Sequence, residues 1–506
     1  MQSESTYTNP LHDGYLADPF VLKHNGEYYA YGTAPLGDLA VPVLHSRDLV
    51  NWRRLGSALT LGEGIFEALW APEVAYNNGT FYMYYSAGGP EGQGHRLRVA
   101  TASYPAGPFT DTGAVLTPDE PFTIDAHPFR DDDGKWYLYY CRDFLDNDKE
   151  ARAGTGIVVD RLVDMTRLAG ERETVVRPHA DWQLYERRRS RYGRVWDWYT
   201  VEGAFVRKRG GRYYCFYSGG AWKKPNYGVS HVVAAHPMGP FHSQTGADGP
   251  EVLCTRSGRV IGPGHASVVH APDNAHEYIV YHAWDPGHTA RLMRMDRLGW
   301  GEEGPYSSGP TLDPQPAPPL PSFRDGFDGP DGAPPNPEAW RVEGGDWRQR
   351  NGELIQHDVA ARTAAELLAS VPPCSEYLLE VNVRLLETSH ERSQYGLYLK
   401  HGPQDRTHLA LAADGSSLLC DRERDNQGPK RRFRLRALGS GFRSDAYHQL
   451  LVSTRGGKLD VQVDGVPVAL GVEVASGTVS IGLLTWGASA AFDGVSLTSS
   501  ARGSRG

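Results

Sequence analysis

The chain repeats one local pattern: a short apolar segment, a tight turn and a strand rich in aromatic residues. The turns are Asn25-Gly26, Asn78-Gly79, Asp133-Gly134 and Gly210-Gly211, and a looser fifth turn lies near Asn274. These dipeptides favour the positive φ angles of two-residue β-hairpin turns. Successive turns are 53, 55, 77 and 63 residues apart (79 − 26, 134 − 79, 211 − 134 and 274 − 211). Repeats of roughly 40–50 residues with four short strands are typical of β-propeller blades, so the pattern predicts a five-bladed propeller with long loops.

A strand rich in aromatic residues follows each turn directly. The predicted strands are Glu27–Tyr31, Thr80–Tyr85, Lys135–Tyr140, Arg212–Tyr217 and Glu277–His282. Helical periodicity is weak throughout, and Ala364–Leu368 is expected to make one helical turn at most. The fold class predicted for the chain is therefore all-β.

Three repeats carry an acid at the start of the strand that precedes the turn. Asp18, Asp125 and Glu202 lie 8, 9 and 9 residues before their turn glycines (26 − 18, 134 − 125 and 211 − 202). The innermost strand of each blade lines the central channel, so the three acids are expected to converge at one mouth. Converging acids are costly unless they do chemistry or hold a cation. The alternative, three ordinary strand-end acids, does not explain why they stand in register among apolar and aromatic residues.

The length and a proline-rich stretch predict two domains. The chain has 506 residues, beyond the size at which a single core stops growing. Prolines concentrate in residues 310–322, so we predict a propeller over 1–309, a connector over 310–322 and a second all-β domain over 323–506, a β-sandwich of jelly-roll type. Strands of this second domain are predicted at Glu376–Leu386, Tyr395–Leu399, His448–Ser453, Leu459–Val463 and Thr478–Leu484.

Composition and charge exclude several classes of function. The net charge of −9 argues against nucleic acid and membrane-surface partners, and no apolar run is long enough to span a membrane. Five scattered cysteines suggest neither a disulfide framework nor a zinc site. The N-terminus lacks a secretory pattern, which predicts a cytoplasmic protein. The basic run Glu186–Arg191 is interpreted as a solvated insertion loop in preference to an anion site. The oligomeric state stays open.

Paired carboxylic acids point to glycoside hydrolysis. One acid protonates the leaving oxygen, while the other activates a water molecule or attacks directly. The proton donor needs a raised pKa, which a third nearby carboxylate supplies. Three acids around one channel can therefore divide into base, modulator and acid.

Residues 10–290 resemble glycoside hydrolase family 43, whose members are five-bladed propellers that invert the anomeric centre. The matching motifs are Ala17-Asp18-Pro19-Phe20, Trp70-Ala71-Pro72-Glu73-Val74, Ile124-Asp125-Ala126-His127 and Val201-Glu202-Gly203. The resemblance implies Asp18 as general base, Asp125 as pKa modulator and orienter, and Glu202 as general acid. Ala126-His127-Pro128 departs from the Asp-Pro-Ser of the xylosidase-like members, which puts the substrate in doubt. The C-terminal domain resembles the concanavalin-like sandwiches that accompany many such propellers.

Further residues are candidates for substrate binding. The resemblance implies that His265 contacts a water or a calcium ion on the axis, which makes a structural Ca²⁺ possible although no cofactor is required. It also implies that Arg291 holds Asp125 and a sugar hydroxyl, and a surface salt bridge is an equal alternative. The remaining candidates are Trp70, Trp198 and Trp222, whose rings suit sugar faces but also suit a core, and His127, which faces the pocket or packs behind Asp125.

The predicted activity is an inverting exo-glycosidase that releases L-arabinofuranose from short oligosaccharides. A β-D-xylosidase is the close alternative. A non-catalytic sugar-binding propeller and a retaining fructan-type enzyme are the distant ones. The long segment from Arg142 to Thr200 is expected to wall off one end of the site and make it exo-acting.

Overall fold

The computed structural model describes residues 5–61, 67–89, 94–147, 151–243, 249–256, 259–359, 364–371, 374–401, 405–424, 431–439, 441–473 and 479–499. They form two compact units. The first comprises residues 1–24, 28–271 and 276–318, and the second comprises 25–27, 272–275 and 319–506. The division after residue 318 falls inside the stretch predicted as the connector, 310–322.

The described residues of the first unit form strands and one short 3-10 helix, Asp181–Gln183. Its strands are β1 Thr6–Tyr7, β2 Ala17–His24, β3 Glu27–Thr33, β4 Pro42–Ser46, β5 Arg53–Ser57, β6 Leu59–Thr60, β7 Ala68–Asn77, β8 Thr80–Gly88, β9 Arg96–Ala102, β10 Phe109–Val115, β11 Thr123–Arg130, β12 Trp136–Phe144, β13 Gly154–Asp164, β14 Arg167–Leu168, β15 Glu173–Val176, β16 Leu184–Arg191, β17 Arg194–Arg209, β18 Arg212–Gly219, β19 Gly228–Ala234, β20 Ile261–His270, β21 Glu277–Trp284, β22 Arg291–Gly301, β23 Gly304–Ser307 and β24 Gln315–Pro316.

These strands form a propeller whose described part has five blades. The blades are β2–β5, β7–β10, β11–β13, β17–β19 and β20–β23, each running outward from its first strand. The five first strands contact one another in a closed cycle, β2 to β7, β11, β17, β20 and back to β2. The predicted aromatic strands are β3, β8, β12, β18 and β21, the second strand of each blade. The fold class predicted from the sequence is confirmed.

The aromatic residues of these second strands fill the space between blades. Seven tyrosines are fully buried there: Tyr28, Tyr31, Tyr84, Tyr85, Tyr139, Tyr140 and Tyr281. Neighbouring blades diverge from the axis, and large flat rings fill the widening gap at high packing density. The repeated aromatic pattern in the sequence is therefore a packing requirement of the propeller.

The segment before β2 closes the ring between the first and last blades. Leu11 N donates to Met293 O and Leu16 N to Arg291 O, so this segment runs along β22 of the fifth blade. The Asn9 side chain donates to Met295 O and accepts from Met295 N, each at 2.9 Å. The strand β1 pairs with β24, whose residues lie in the predicted connector.

The segment from Arg142 to Thr200 is not an insertion between blade strands. It contains β13, the third strand of blade three, and β14 and β15, which pair with β13. It ends in a hairpin of β16 and β17, and β17 continues inward as the first strand of blade four. The basic run Glu186–Arg191, expected as a loop, lies in β16. Pairing between these strands accounts for the length of the segment, which the sequence analysis had attributed to a wall at one end of the site.

Each inner strand bends at an equivalent residue with positive φ. These residues are Asp18, Ala71, Asp125, Gly203 and His265, with φ between 46° and 61°, and β20 has a second residue with positive φ, Gly262. In β7, β11, β17 and β20 the pairing register shifts at this point, which marks a β-bulge. Bulges turn a strand locally and re-aim its side chains, so the five positions share one structural role.

The backbone N–H group at every bulge donates a hydrogen bond to a side chain of the preceding blade. The acceptors are Thr33 Oγ1 for Ala71, Ser86 Oγ for Asp125, Asp125 Oδ2 for Gly203, Ser218 Oγ for His265 and His282 Nδ1 for Asp18, at 2.7–3.0 Å. We call this ring of five contacts the bulge belt. It connects each blade to the next around the axis.

Blade three departs from the belt's pattern. Cys141 pairs with Ile124 as Ser86 pairs with Trp70 and Ser218 with Glu202, so a thiol stands where blades one, two and four have a hydroxyl and blade five has the imidazole of His282. Sulfur is a weak acceptor. The Gly203 N–H group donates instead to the Asp125 carboxylate, which Cys141 Sγ also approaches at 3.8 Å.

The second unit is a sandwich of two antiparallel sheets. Its strands are β25 Phe323–Asp325, β26 Trp340–Val342, β27 Trp347–Arg350, β28 Glu353–Gln356, β29 Ala365–Ala369, β30 Tyr377–Thr388, β31 Gln394–Lys400, β32 Asp405–Ala412, β33 Ser417–Arg424, β34 Arg431–Ala437, β35 His448–Arg455, β36 Lys458–Val463, β37 Val466–Glu473, β38 Ser480–Trp486 and β39 Ala488–Ser499. The sheet orders are β27-β28-β39-β30-β35-β36-β37, with β25 on β39, and β26-β29-β38-β31-β32-β33-β34.

The sandwich core and turns follow the predicted alternation. Inward residues of both sheets form one apolar cluster that includes Leu379, Leu397, Val452 and Leu483. The Gly456-Gly457 and Asp464-Gly465 turns have positive φ at both residues. The helical turn at Ala364–Leu368 is wrong: these residues run into β29, which pairs with β26 and β38. Thr478, the predicted start of β38, lies outside the described residues.

The described residues contain no helix long and apolar enough to cross a membrane.

We predict that Ser218→Ala weakens the propeller through the bulge belt. The substitution leaves the buried His265 N–H group without an acceptor, which costs about 1–3 kcal/mol of unfolding free energy. Chemical denaturation of the whole chain, followed by tryptophan fluorescence, measures this loss. Ser103→Ala, at an exposed position, is the control and should change the value by less than about 0.5 kcal/mol. Equal stability of both variants would contradict the belt's contribution.

Candidate active site

The three predicted acids lie on inner strands around the propeller axis. Asp18 begins β2, Asp125 begins β11 and Glu202 lies in the middle of β17. Asp18 and Asp125 occupy the bulge position, whereas Glu202 comes one residue before it and Gly203 occupies the bulge. The expectation that all three acids share one structural position is therefore wrong by one residue for Glu202. A shift of one residue in a strand re-aims the side chain.

Asp18 is surrounded by hydrogen-bond donors and cations. Its Oδ2 accepts from Thr33 Oγ1 at 2.6 Å. Its Oδ1 lies 3.1 Å from Arg291 Nη1, 3.2 Å from His282 Nδ1 and 3.5 Å from His265 Nδ1. Burial alone would raise the pKa of Asp18, but Arg291, His265 and His282 hold it well below its usual range. Asp18 is therefore a carboxylate across the physiological pH range.

The two histidines beside Asp18 are neutral. Burial lowers the pKa of His282 to about 4 and also lowers the pKa of His265. The Nδ1 atom of His282 accepts the Asp18 N–H group at 3.0 Å, so its proton is placed on Nε2. Arg291 is then the buried cation that balances the Asp18 charge.

Asp125 is held between blades three and four. Its Oδ2 accepts from Gly203 N at 3.0 Å, and the buried Cys141 thiol lies 3.8 Å away. Burial raises the pKa of Asp125 well above its usual value, and the charges of Glu202 and Asp18 add to this rise. A φ of +61° and the His265 ring, 3.1 Å from where a Cβ would stand, favour glycine at Gly203.

Glu202 has the pKa of a proton donor. Burial raises its pKa to about 7 and the charge of Asp18 adds to this, while the Tyr227 hydroxyl, 2.8 Å from Oε1, works in the opposite direction. Tyr227 is fully buried against Gly264, where an added Cβ would stand 2.0 Å from the ring. The glycine in the Gly262-Pro263-Gly264 motif therefore makes room for the ring that positions Glu202.

Electrostatics divide the acids into two kinds. Asp18 is ionised because Arg291 faces it. Burial and the charge of Asp18 disfavour ionisation of Glu202, and burial and the charges of Glu202 and Asp18 disfavour ionisation of Asp125. Interacting acids of this kind titrate as a pair. One carboxylate that stays charged and one carboxylic acid that keeps its proton to about pH 7 are the combination that acid–base cleavage needs.

His127 packs behind Asp125 and does not face an open pocket. Its Nδ1 lies 2.7 Å from Glu73 Oε2, and its Nε2 accepts the Val206 N–H group at 3.0 Å. Both ring nitrogens are thus used inside the protein, and the ring is 4% exposed. A direct contact with substrate is not supported. His127 instead joins blades two, three and four.

Arg291 pairs with Asp18. The resemblance had implied that it holds Asp125 instead. Arg291 is 8% exposed, which excludes a surface salt bridge. Its Nε donates to Tyr15 OH at 2.9 Å, and its guanidinium lies 4.4 Å from the centre of the Trp222 ring. Trp222 also stacks on Trp284, with ring centres 5.8 Å apart. The half-buried Trp222 therefore lies between Arg291, which pairs with Asp18, and Trp284.

Two further tryptophans differ in their exposure. Trp70 is half-buried and stacks on His95 with ring centres 3.9 Å apart. Trp198 is 1% exposed and packs beside Tyr192 and Arg191. Of the two alternatives given for Trp198, the sugar contact is wrong in this structure and the core position is right, because a buried ring offers no face to a sugar.

The donor set near the axis does not by itself form a calcium site. Among the described residues, no group of three or more His, Cys, Asp or Glu side chains is arranged to hold a metal ion. His265 is placed beside Asp18 and Asp125, as close as 3.5 Å to the former. Calcium prefers oxygen ligands, so an ion at His265 would depend on water for most of its shell. A Ca²⁺ ion at this position stays a prediction.

Sequence reasoning missed four residues that the structure brings to the acids. They are Tyr227, His282, Thr33 and Glu73. Glu73 stood in a quoted motif without a role. The other three lie on second strands or in a loop, where one sequence offers no signal that separates them from core residues. The sequence also gave no signal for the contact of Cys141 with Asp125.

We predict that the Tyr227 hydroxyl tunes Glu202. Infrared difference spectra between the wild type and Glu202→Gln should show a protonated carboxyl that disappears with a midpoint near pH 7. Tyr227→Phe removes a hydrogen bond that favours the carboxylate, so the midpoint should rise by about one pH unit. Tyr104→Phe, at a position 70% exposed, is the control. A midpoint unchanged in Tyr227→Phe would contradict this role.

Comparison with known proteins agrees with this geometry. The family model for glycosyl hydrolases family 43 matches residues 7–306. A β-D-galactofuranosidase of Aspergillus niger is 29% identical over 318 residues, covering 58% of this chain and 83% of that protein. An extracellular exo-α-(1→5)-L-arabinofuranosidase of Streptomyces avermitilis is 24% identical over 59% of this chain and 62% of that protein. One from Streptomyces chartreusis is 27% identical over 55% and 82%.

Solved structures resemble both the propeller and the whole chain. A thermostable family-43 glycoside hydrolase is 34% identical, covers 62% of this chain and 99% of its own, and has a TM-score of 0.54. A mutant family 43 protein from Bacillus licheniformis covers 98% of this chain and 100% of its own at 21% identity and a TM-score of 0.50, which bears on the fold alone. The family match and the converging acids lead to one conclusion: the chain belongs to glycosyl hydrolase family 43 and is a glycoside hydrolase.

Proposed function

We propose that the protein is an inverting exo-glycosidase that removes terminal α-L-arabinofuranosyl residues from oligosaccharides. The observation that carries the proposal is the pairing of a charged Asp18 with a protonated Glu202 at the mouth of one channel. Carboxyl groups in opposite protonation states are what an acid–base pair needs to cleave a glycosidic bond.

Asp18 acts as the general base. A water molecule bound by the carboxylate attacks the anomeric carbon and gives its proton to Asp18. Arg291 and Thr33 fix the orientation of this carboxylate. Because Arg291 also holds its pKa low, Asp18 is ionised before the reaction begins.

Glu202 acts as the general acid. Its proton moves to the glycosidic oxygen as the bond between that oxygen and the anomeric carbon breaks, so no alkoxide has to leave. Burial and the charge of Asp18 disfavour ionisation of Glu202 before the substrate is in place. Asp125 supports this step by accepting the N–H group of Gly203, the residue next to Glu202. In the cleaved state Tyr227 stabilises the new carboxylate by its hydrogen bond.

The names of the relatives favour a furanoside substrate. Two are named arabinofuranosidases and one a β-D-galactofuranosidase. α-L-Arabinofuranose and β-D-galactofuranose share the same ring configuration and differ by one hydroxymethyl group on the exocyclic chain. β-D-Galactofuranoside hydrolysis is therefore the second candidate, and a β-D-xyloside follows because a xylosidase/arabinosidase of Butyrivibrio fibrisolvens is 32% identical over 26% of this chain.

The cellular location of the protein stays a prediction. The N-terminal sequence led to a cytoplasmic expectation, whereas both Streptomyces relatives are named extracellular. We propose a location outside the cytoplasm. The proposal is supported by the names of the two Streptomyces relatives, which match this chain over its propeller.

Three aryl glycosides measured side by side test the substrate. We expect kcat/KM to be highest on 4-nitrophenyl α-L-arabinofuranoside, lower on the β-D-galactofuranoside and lowest on the β-D-xyloside. Asp18→Asn should lose at least about 10³-fold on each, since no base activates water. Asp132→Asn, which changes a turn acid 52% exposed, is the matched control and should retain activity. Highest activity on the xyloside would overturn the choice of sugar.

Glu202→Gln gives a test of the acid that does not depend on the sugar's identity. Nitrophenolate leaves without a proton, whereas a sugar alkoxide does not. The variant should therefore lose about 10²–10⁴-fold on a disaccharide but much less on the aryl glycoside. An equal loss on both substrates would show that Glu202 does not protonate the leaving oxygen.

The pH dependence of kcat/KM follows from the two pKa shifts. A group with a raised pKa, Glu202, keeps its proton below about pH 7 and loses it above. Asp18, with a lowered pKa, stays charged far into acid. We expect activity to fall as pH rises through about 7 and to persist on the acidic side. Maximal activity above pH 8 in a stopped assay would contradict the assignment.

A further inference from the structure

Arg189 stands on the hairpin that leads directly into the strand of the catalytic acid. It lies in β16, which pairs with the outer half of β17, and the inner half of β17 carries Glu202. In the pairing register Arg189 stands opposite Trp196. The hairpin therefore brings the basic run to the Glu202 side of the propeller mouth.

The guanidinium of Arg189 is held by aromatic rings. It lies 4.6 Å from the centre of the Tyr185 ring and 5.8 Å from that of Trp198, and the side chain is only 22% exposed. Such contacts fix the position of an arginine while leaving its N–H groups free to bind. The buried Trp198, predicted as a sugar platform, thus acts as a support for Arg189.

Arg189 has a longer ion pair than its neighbours. Its Nε lies 3.8 Å from Glu186, whereas Arg191 lies 2.7 Å from Asp143 and Arg187 lies 3.4 Å from Asp197. Within the described part of the chain, the guanidinium of Arg189 makes no hydrogen bond. Its N–H groups are therefore able to bind a ligand.

Further cations lie on the same edge of the mouth. Lys224 Nζ donates to Tyr185 O at 3.4 Å, which ties the loop after β18 to β16. Lys223 Nζ lies 4.7 Å from the centre of the Trp222 ring, and Trp222 is the tryptophan that stacks on Arg291. Against the net charge of −9 for the whole chain, this edge is locally positive.

Arg189 lies on the side of the site that carries Glu202, because its hairpin leads into the strand of Glu202 and its guanidinium lies 4.6 Å from the centre of the Tyr185 ring. Burial and the charge of Glu202 raise the pKa of Tyr185, and the charges of Arg291 and Arg189 oppose the rise in the pKa of Glu202. The acid lies on the leaving-group side of the scissile bond and the base on the opposite side. Arg189 therefore faces the sugar that leaves.

We infer that Arg189, supported by Tyr185 and Trp198, binds a carboxylate on the leaving-group sugar, so that the preferred substrate carries its terminal residue on a uronic acid. This inference rests on the proposed function and names the class of its leaving group. A planar guanidinium matches a carboxylate with two parallel hydrogen bonds. Lys223 and Lys224 add to the attraction at longer range.

Binding of the leaving group alone tests the inference without reference to the sugar that is hydrolysed. Methyl β-D-glucuronide and methyl β-D-glucoside are titrated separately into the wild-type protein, with Kd read by NMR. We expect the glucuronide to bind about 10-fold more tightly at low salt and the difference to shrink with added NaCl. Equal affinities in the wild type overturn the inference, whichever furanoside the enzyme cleaves.

Variants assign the effect to Arg189. Arg189→Gln should abolish the difference between the two ligands, and Arg189→Lys should restore part of it, because charge returns without the bidentate geometry. Arg187→Gln, 72% exposed and on the same strand, is the matched control and should keep the full difference. Loss of the difference in Arg187→Gln, or its survival in Arg189→Gln, overturns the assignment.

Kinetics separate this inference from the proposed function. The terminal arabinofuranosyl residue is linked once to methyl glucuronide and once to methyl glucoside, and kcat/KM is compared. A ratio of about 10 in favour of the uronide, reduced to about 1 in Arg189→Gln, supports both proposals. Hydrolysis of both at equal rates supports the proposed function and overturns the inference. If neither arabinofuranoside is hydrolysed but methyl glucuronide still binds more tightly than methyl glucoside, the proposed function is overturned and the binding role of Arg189 is supported.

Discussion

The hydrogen bond from each inner-strand bulge to the preceding blade is the contact on which the catalytic geometry depends. The positive, left-handed φ at Asp18, Asp125 and His265 is strained for residues other than glycine. The hydrogen bonds of the bulge belt stabilise this backbone conformation. The same turn of the backbone aims these side chains at the axis. The same hydrogen bonds therefore close the propeller and place the acids at its axis.

The exception in this ring gives the site its asymmetry. Blade three has a thiol where blades one, two and four have a hydroxyl, so Asp125 accepts the N–H group of Gly203. Asp125 is thereby fixed beside Glu202 instead of facing solvent. Asp18 faces the Arg291 cation, whereas Asp125 is buried and faces the charges of Glu202 and Asp18, which explains why two aspartates at equivalent positions have pKa values shifted in opposite directions.

Much of this was readable from the sequence, because repeats and turns are local signals. The turn glycines and aromatic strands predicted the blades, and the spacing of the acids predicted their convergence. Tyr227 and His282 were not foreseen, since their roles come from contacts between blades that no periodicity reports. Trp198 and His127 each had a core and a pocket alternative for the same reason: one residue type serves equally in both, and the structure buries both side chains. The run Glu186–Arg191 was interpreted as a loop because its four arginines obscured the alternation of a strand.

The central claim is that Asp18 and Glu202 act from opposite sides of the anomeric carbon in one displacement. It is tested most directly by proton NMR of the first sugar released from an α-L-arabinofuranoside, before mutarotation. The account predicts β-L-arabinofuranose, the inverted anomer. First release of the α-anomer would mean a covalent glycosyl-enzyme intermediate, and the assignment of Asp18 as a base acting on water would be wrong.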